Sequence, residues 1–122
     1  MKFSIITPTL NDAAVITRTV RSLGAQDYSR ELMEWILIDG GSADATLETI
    51  KAEKVHPDVW ESEKNGGFFD ALNRGITGAT GDVVCFLPAG NRLASRGTIY
   101  RLSSAFTNSG AACVYSNVEQ GV

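Results

Sequence analysis

The sequence has few of the residues that build metal centres and disulfides. Its 122 residues include one histidine, His56, and two cysteines, Cys85 and Cys113. Both cysteines lie inside apolar runs, which indicates small buried side chains rather than metal ligands or a disulfide. His56 stands beside a proline in a polar stretch and is predicted to be solvated. The composition therefore gives no support to a histidine or cysteine metal site.

The chain also lacks a strong excess of charge and any long apolar run. It carries 11 basic and 14 acidic side chains, for a formal net charge of −3. This balance argues against nucleic acid or an anionic membrane surface as a partner. The amino-terminal run MKFSII is too short for a signal peptide or a membrane span. We therefore expect no membrane span and a cytoplasmic location.

Three motifs that identify common nucleotide-binding and hydrolytic α/β proteins are missing. The loop after the first predicted strand contains no glycine, so no GxGxxG motif can bring backbone amides to a pyrophosphate. Neither GxxxxGK[ST] nor the nucleophile elbow GxSxG occurs. The acidic pair of a phospho-acceptor receiver domain has no match, because Asn11-Asp12 is a poor substitute and comes too late. These absences leave a sheet whose strand ends suit a nucleoside better than a bare phosphate.

The sequence is organised around residues 35–46, which read WILIDGGSADAT. The apolar run is typical of a strand buried on both faces of a parallel sheet. Asp39 follows it, at the strand end where open α/β sheets bind ligands. Two glycines then allow a tight turn, and Ser42 or Asp44 can cap the next helix. Asp39 is either a ligand-binding acid or a turn-stabilising one, and the pattern leaves both open.

The remaining chain alternates predicted strands with predicted helices. The first helix should begin near Asn11 or Asp12, and the third should bury Phe69, Leu72, Ile76 and Ala79. Five strands are expected, at residues 2–7, 35–38, 59–60, 83–87 and 112–115. The alternation predicts one α/β domain over residues 1–122, a Rossmann-like, mostly parallel sheet with helices on both faces.

Three blocks of the sequence resemble the nucleotide-sugar half of family 2 glycosyltransferases with the GT-A fold. They are SIITPTLN, WILIDGGSADAT and SEKNGGFFDALNRGITGATGDVVCFLPAGN. The blocks cover most of residues 3–91 in the family's order, and they are similar to the bacterial branch that assembles exported polysaccharides such as colanic acid. The resemblance implies a nucleotide-binding role for Thr7, Pro8, Thr9, Asn11, Asp39, Gly40, Asp70 and Asn73.

The resemblance also implies which part of the nucleotide each of these residues would contact. Those at the end of the first strand would line the base, and Asn11 would lie near the ribose or hold its loop. Asp39 would accept a hydrogen bond from the base. Asp70 and Asn73 would face the pocket, with residues 64–67 as its flexible rim.

One block departs from the family's pattern. Where the family places Asn/Asp-x-Asp-Asp to hold Mn²⁺ or Mg²⁺ against the sugar diphosphate, this chain has PAGN at residues 88–91. The diphosphate-loop positions Gly90 and Asn91 therefore carry no carboxylate, although a hard dication needs anionic oxygens. We expect no firmly bound metal or other cofactor. Arg74 is predicted at the surface, from where it could reach a diphosphate.

The resemblance implies that the domain binds a nucleotide-diphosphate sugar, with a UDP-sugar favoured, for inverting transfer to a hydroxyl acceptor in polysaccharide synthesis. The family's general base and acceptor-binding half come from a later segment, so the domain alone is expected to be inactive or nearly so. The alternative is a catalytically dead nucleotide-binding or protein-interaction module with the same fold. Apolar residues near the end of the chain would favour a homo-oligomer if exposed; they are Ile99, Leu102, Phe106 and Val114.

Overall fold

The computed structural model describes residues 1–62, 64 and 66–109. Within them, four strands form one all-parallel sheet in the order β3-β2-β1-β4. The strands are β1 (Phe3–Thr9), β2 (Met33–Asp39), β3 (Val59–Ser62) and β4 (Val83–Phe86). The helices are α1 (Ile16–Gly24), α2 (Thr46–Lys51), α3 (Gly67–Gly78) and α4 (Thr98–Ser109), with a 3-10 turn at Arg30–Leu32. The predicted α/β fold is confirmed, and the fifth strand predicted at residues 112–115 lies outside the described residues.

The two central strands have apolar side chains on both faces, and helices cover both faces of the sheet. On one face, Phe3 and Trp35 belong to a core that α1, α2 and α4 complete. On the other, Ile6 and Ile36 pack against α3. Buried strands of this kind need both layers of helices, since each face carries apolar surface that must leave water.

Strand β1 runs two residues beyond its predicted end, through Pro8 to Thr9. Proline lacks an N–H group and is usually excluded from central strands. The carbonyl oxygen of Pro8 accepts a hydrogen bond from the N–H of Ala89, which follows β4. Since the N–H and C=O of one residue point to the same side in a parallel strand, the missing donor faces the side where β4 has already ended at Phe86. Pro8 therefore costs no ladder hydrogen bond.

Helix α3 presents to the sheet a face that only partly matches the predicted one. Phe69 is 78% exposed and Ile76 is 46% exposed, whereas Ala71 and Gly75 are buried. A Cβ atom on Gly75 would lie 2.4 Å from Cγ2 of Ile6. The closest contact with the sheet is thus made by the smallest residues of the helix, because large side chains do not fit this close approach. The predicted stripe is confirmed for Leu72 and Ala79, which pack against the same cluster, and wrong for Phe69 and Ile76.

Strand β4 lies at the edge of the sheet, and only one of its faces packs against the core. Its side chains alternate, and Val84 and Phe86 are exposed because α3 lies over β1 and β2. The Cys85 side chain points to the opposite face, where burial raises the pKa of its thiol to about 11. The thiol therefore stays protonated at neutral pH.

Helix α4 faces the core. Ile99 is fully buried, and Leu102 and Phe106 pack against the same cluster. The condition of exposure on which the predicted homo-oligomer depends is therefore not met by these three side chains, and Val114 lies outside the described residues.

Glu34 connects β2 to β1 and to the segment before β4. Its carboxylate accepts hydrogen bonds from the hydroxyl of Ser4 at 2.8 Å and from the backbone N–H and hydroxyl of Thr80 at 2.9 and 2.7 Å. Partial burial acts to raise the pKa of Glu34, but the bonds from Thr80 and Ser4 and the charge of Lys2 outweigh it, so the pKa is lowered.

Replacing Gly75 by alanine should destabilise the chain by about 1–3 kcal/mol, because an overpacked core costs that much. Gly78 in the same helix faces open space, with no heavy atom within 4 Å of an added Cβ. Gly78→Ala is therefore a matched control that should leave the free energy of unfolding unchanged or raise it by at most about 1 kcal/mol. Urea unfolding measures both, and equal stabilities would contradict the close packing at Gly75.

The lowered pKa of Glu34 predicts a loss of stability in acid. Since the unfolded chain binds the proton first, the stabilisation is complete above the ordinary glutamate pKa of about 4.3 and is lost as the pH falls through the lower folded value. Glu34→Gln should flatten the fall in the free energy of unfolding between about pH 5 and pH 3. Glu31→Gln, at an exposed position, should not. An unchanged acid dependence in Glu34→Gln would refute this role.

Candidate functional site

A cleft of about 490 Å³ lies at the carboxyl ends of β1 and β2. Pro8, Thr9 and Leu10 line it from the first strand, and Ile38 and Gly40 line it from the second. In a parallel sheet these strand ends are adjacent, which makes this edge the usual ligand site of open α/β folds. The predicted residues Pro8, Thr9 and Gly40 therefore lie together in one cavity wall.

Helix α3 and the loop after β4 form the rest of the cleft. Phe68, Asp70 and Arg74 contribute side chains from α3, and Pro88 and Ala89 contribute from the loop. Of these, only Asp70 is among the residues that the sequence pattern assigns to nucleotide binding. Sequence signals point to two of the others: Phe68 directly follows the paired glycines, and Arg74 lies one helical turn after Asp70, on the same side.

Asp39 is buried beneath the turn that follows β2, with 1% of its surface exposed. Its carboxylate accepts hydrogen bonds from the N–H of Gly41 at 3.1 Å and from the N–H and hydroxyl of Ser42. The hydroxyl of Ser62 in β3 lies 3.4 Å from the same carboxylate. These contacts account for Asp39 as a turn-stabilising acid, and the predicted bond from Asp39 to a base stays a prediction.

Asn11 joins the loop after β1 to the loop after β2. Its side-chain oxygen accepts a hydrogen bond from the N–H of Ala43 at 2.8 Å, and its own N–H donates to the hydroxyl of Ser42 at 3.0 Å. Its φ of 53° lies in the left-handed region, which asparagine tolerates better than most residues. Of the two roles predicted for Asn11, these contacts support loop holding.

Asp12 and Asp44 tie the same two loops together. Asp12 donates its N–H to the Thr46 hydroxyl at 2.9 Å, and Asp44 accepts from the N–H of Ala13 at 3.2 Å. A hydrogen bond from the Thr46 hydroxyl is the main reason that the pKa of Asp44 is lowered. The cap predicted for the first helix was misplaced, because the Asp12 side chain accepts bonds from the Thr9 hydroxyl and the Leu10 N–H, and α1 begins only at Ile16.

Four residues of the predicted nucleotide-binding set do not line the cleft, namely Asn11 and Asp39, described above, and Thr7 and Asn73. Thr7 is fully buried, and its hydroxyl accepts a hydrogen bond from the Trp35 indole at 2.9 Å. Asn73 is exposed on α3, outside the cleft wall, while Asp70 three residues earlier belongs to it. Nucleotide binding by Thr7 or Asn73 stays a prediction without a position in the wall to support it.

Gly90 and Asn91 are held against α1 and away from the cleft lining. The N–H of Gly90 donates to the Thr19 hydroxyl at 2.9 Å, which in turn donates to the Asn91 carbonyl at 2.7 Å. No cluster of three or more His, Cys, Asp or Glu side chains suited to a metal ion occurs among residues 1–62, 64 and 66–109. The loop supplies no carboxylate, so its residues do not fit the divalent cation that the family pattern implies.

Arg74 carries the only basic side chain in the cleft wall that the described residues form. Its Nε lies 3.0 Å from Oδ2 of Asp70, and its Nη1 lies 3.9 Å from Oε2 of Glu61 in β3. The cleft thus combines apolar walls with one guanidinium and two carboxylates, those of Asp12 and Asp70.

None of the helices in the described part of the chain has the length and hydropathy that crossing a membrane requires.

Comparison with known proteins gives the chain its family. The model of glycosyl transferase family 2 matches residues 4–121. An uncharacterized glycosyltransferase of Mycobacterium tuberculosis is 36% identical over 107 residues, which cover 88% of this chain and 40% of that protein. A PGL/p-HBAD biosynthesis glycosyltransferase of Mycobacterium bovis is 37% identical over 107 residues, or 84% of this chain and 40% of that protein. The chain therefore spans about 40% of the length of these curated relatives.

A solved structure supports the same assignment. The crystal structure of S. aureus TarS in complex with UDP-GlcNAc has a TM-score of 0.80 and 25% sequence identity, and it covers 88% of this chain and 32% of that one. The parallel sheet with its carboxyl-end cleft matches the Rossmann-like, nucleotide-binding half of the GT-A fold. The chain belongs to glycosyl transferase family 2.

Proposed function

We propose that the domain binds a nucleoside diphosphate sugar in the cleft and serves as the donor-binding half of a glycosyltransferase. The observation that carries the proposal is the position of the cleft, which is built at the ends of β1 and β2 by two of the blocks that resemble the family. A volume of about 490 Å³ is in the range of small-molecule sites.

The chemistry of the cleft suits a nucleoside. Leu10, Ile38 and Phe68 offer apolar surface to a planar base. The structural neighbour TarS binds UDP and UDP-GlcNAc, which supports a UDP-sugar as the ligand of this domain. In the proposed reaction a hydroxyl acceptor displaces the nucleoside diphosphate with inversion, and a base takes the hydroxyl proton.

A second candidate is a catalytically dead nucleotide-binding or interaction module. The PAGN loop favours it, since residues 88–91 provide none of the carboxylates that would hold a metal against the leaving diphosphate. Incubating the 122-residue chain with UDP-GlcNAc, with and without Mn²⁺, and measuring released UDP tests whether the loop still supports metal-dependent turnover. We expect no turnover above background, and Mn²⁺-dependent release would contradict our interpretation of this loop.

Two other features stay predictions from the sequence, namely the cytoplasmic location and the homo-oligomer. Exposed apolar side chains are found at Phe69 in α3 and at Phe86 in β4. Gel filtration tests self-association directly.

Titration with UDP should shift the backbone amide resonances of residues around the cleft. We expect changes at Gly40, Phe68 and Ala89 and none at Arg101, which lies in α4 on the opposite layer. GDP should produce smaller shifts at the same ligand concentration. No shift with either nucleotide, or shifts confined to α4, would contradict the proposed site.

The adjacent pair Phe68 and Phe69 provides a matched test of the apolar wall. Their rings contact each other edge to face with centroids 5.6 Å apart, but only Phe68 lines the cleft. Phe68→Ala should weaken UDP binding by about three- to tenfold, the loss expected for one aromatic contact. Phe69→Ala loses the same ring pair and should bind UDP within about twofold of the unchanged chain. Equal affinities in the two variants, measured by calorimetry, would overturn the role of Phe68.

A further inference from the structure

The proposed ligand is negatively charged, and residues 88–91 after β4 carry no positive charge to offset it. A nucleoside diphosphate brings at least two negative charges, and in an apolar cleft such charges need a positive partner. Residues 88–91 offer only neutral groups, and their backbone is fixed in place by Thr19.

The loop is also shaped around glycine. Gly90 has a φ of 94°, a conformation that other residues rarely adopt, and a Cβ atom there would lie 3.1 Å from Cγ2 of Val15. An aspartate at this position would be strained in φ and crowded by α1. The backbone conformation and the sequence of this loop therefore both indicate that it does not present a carboxylate to a metal.

Arg74 offers a positive charge in the cleft wall. A guanidinium presents N–H donors in a planar fork that matches phosphate oxygens, and it is charged at every physiological pH. Asp70 accepts from Nε of Arg74 at 3.0 Å and so holds the group against α3. Glu61 is more distant, at 3.9 Å, and its side chain is about half exposed.

Each of the two carboxylates of the cleft already has partners within the protein. Asp12 is engaged by the Thr9 hydroxyl at 2.8 Å and the Leu10 N–H at 2.9 Å within its own turn. Asp70 is paired with Arg74 itself. Exposed ion pairs such as Arg74–Glu61 contribute little, so a doubly charged diphosphate can displace Glu61 as a partner.

We propose that the Arg74 guanidinium receives the diphosphate of the nucleotide, so that this domain binds its ligand without a divalent cation. The inference rests on the proposed function and adds to it the group that meets the phosphates. It makes diphosphate binding depend on Arg74 and leaves nucleoside binding independent of it.

The test compares uridine, UMP and UDP, each titrated into the full 122-residue chain by calorimetry or amide shifts, in EDTA and in Mn²⁺. In EDTA, UDP should bind at least about tenfold more tightly than uridine, the gain expected when one charge-assisted phosphate contact forms. Adding Mn²⁺ should change the UDP affinity by less than about twofold, because residues 88–91 after β4 offer the ion no carboxylate.

Three variants complete the experiment. Arg74→Gln should remove most of the difference between UDP and uridine while leaving uridine binding unchanged, and Arg74→Lys should restore part of it because charge returns without the fork. Arg101→Gln makes the same charge change on the exposed surface of α4 and should bind all three ligands like the unchanged chain.

The outcomes separate the two proposals. If UDP gains over uridine only in Mn²⁺, or if Arg74→Gln keeps the full gain in EDTA, the role of Arg74 is overturned while nucleotide binding stands. If none of uridine, UMP and UDP binds the chain under any condition, the proposed function and the inference both fail.

Discussion

The candidate site depends on the buried carboxylate of Asp39. This group accepts the N–H groups of Gly41 and Ser42 and so closes the turn after β2. Ser42 then accepts the N–H of Asn11, which extends the network to the loop after β1. A buried carboxylate left without donors would cost well over the 1–3 kcal/mol of an unpaired neutral group. The two loops that border the cleft are therefore held as one unit, and Gly40 is fixed beside Thr9 and Leu10.

This network explains why a residue named by the family's pattern can be essential to a site without lying in its wall. Asp39 shapes the turn, while its neighbours Ile38 and Gly40 form the surface that a ligand would meet. Thr7 is a similar case, because its hydroxyl receives the Trp35 indole inside the core. The motifs thus contain residues that the turn and the strand pair require, as well as residues that line the cleft.

Much of the fold could be predicted from local patterns, but its packing could not. The apolar run of β2 correctly predicted a strand buried on both faces, since it depends on the residues of that one element. For helix α3 the same reasoning predicted only part of the buried face. Its side against the sheet is set by how closely Gly75 approaches Ile6, and such a distance between elements far apart in the chain leaves no trace in periodicity.

The site shows the same limit. Pro8, Thr9, Gly40 and Asp70 were identified because the resemblance assigns them a role. Phe68 lies in the same block as Asp70 but was not identified, since an aromatic residue at a helix start is equally compatible with surface and cleft. The family relationship fixes the fold, but what the fold does depends on the groups in this particular cleft. In this chain those groups include a guanidinium and lack the carboxylates expected after β4.

The contact between Gly75 and Ile6 has a consequence that reaches beyond stability. The same helix carries Phe68, Asp70 and Arg74 into the cleft, and a single hydrogen atom in place of a side chain determines how deeply that helix seats on the sheet. The width of the cavity is therefore set by the contact of Gly75 with the sheet, at a residue that no ligand would contact. A methyl group added at Gly75 would push helix α3 away from the sheet. The aromatic and charged side chains that this helix contributes to the cleft would move with it, and the fit of every ligand would change.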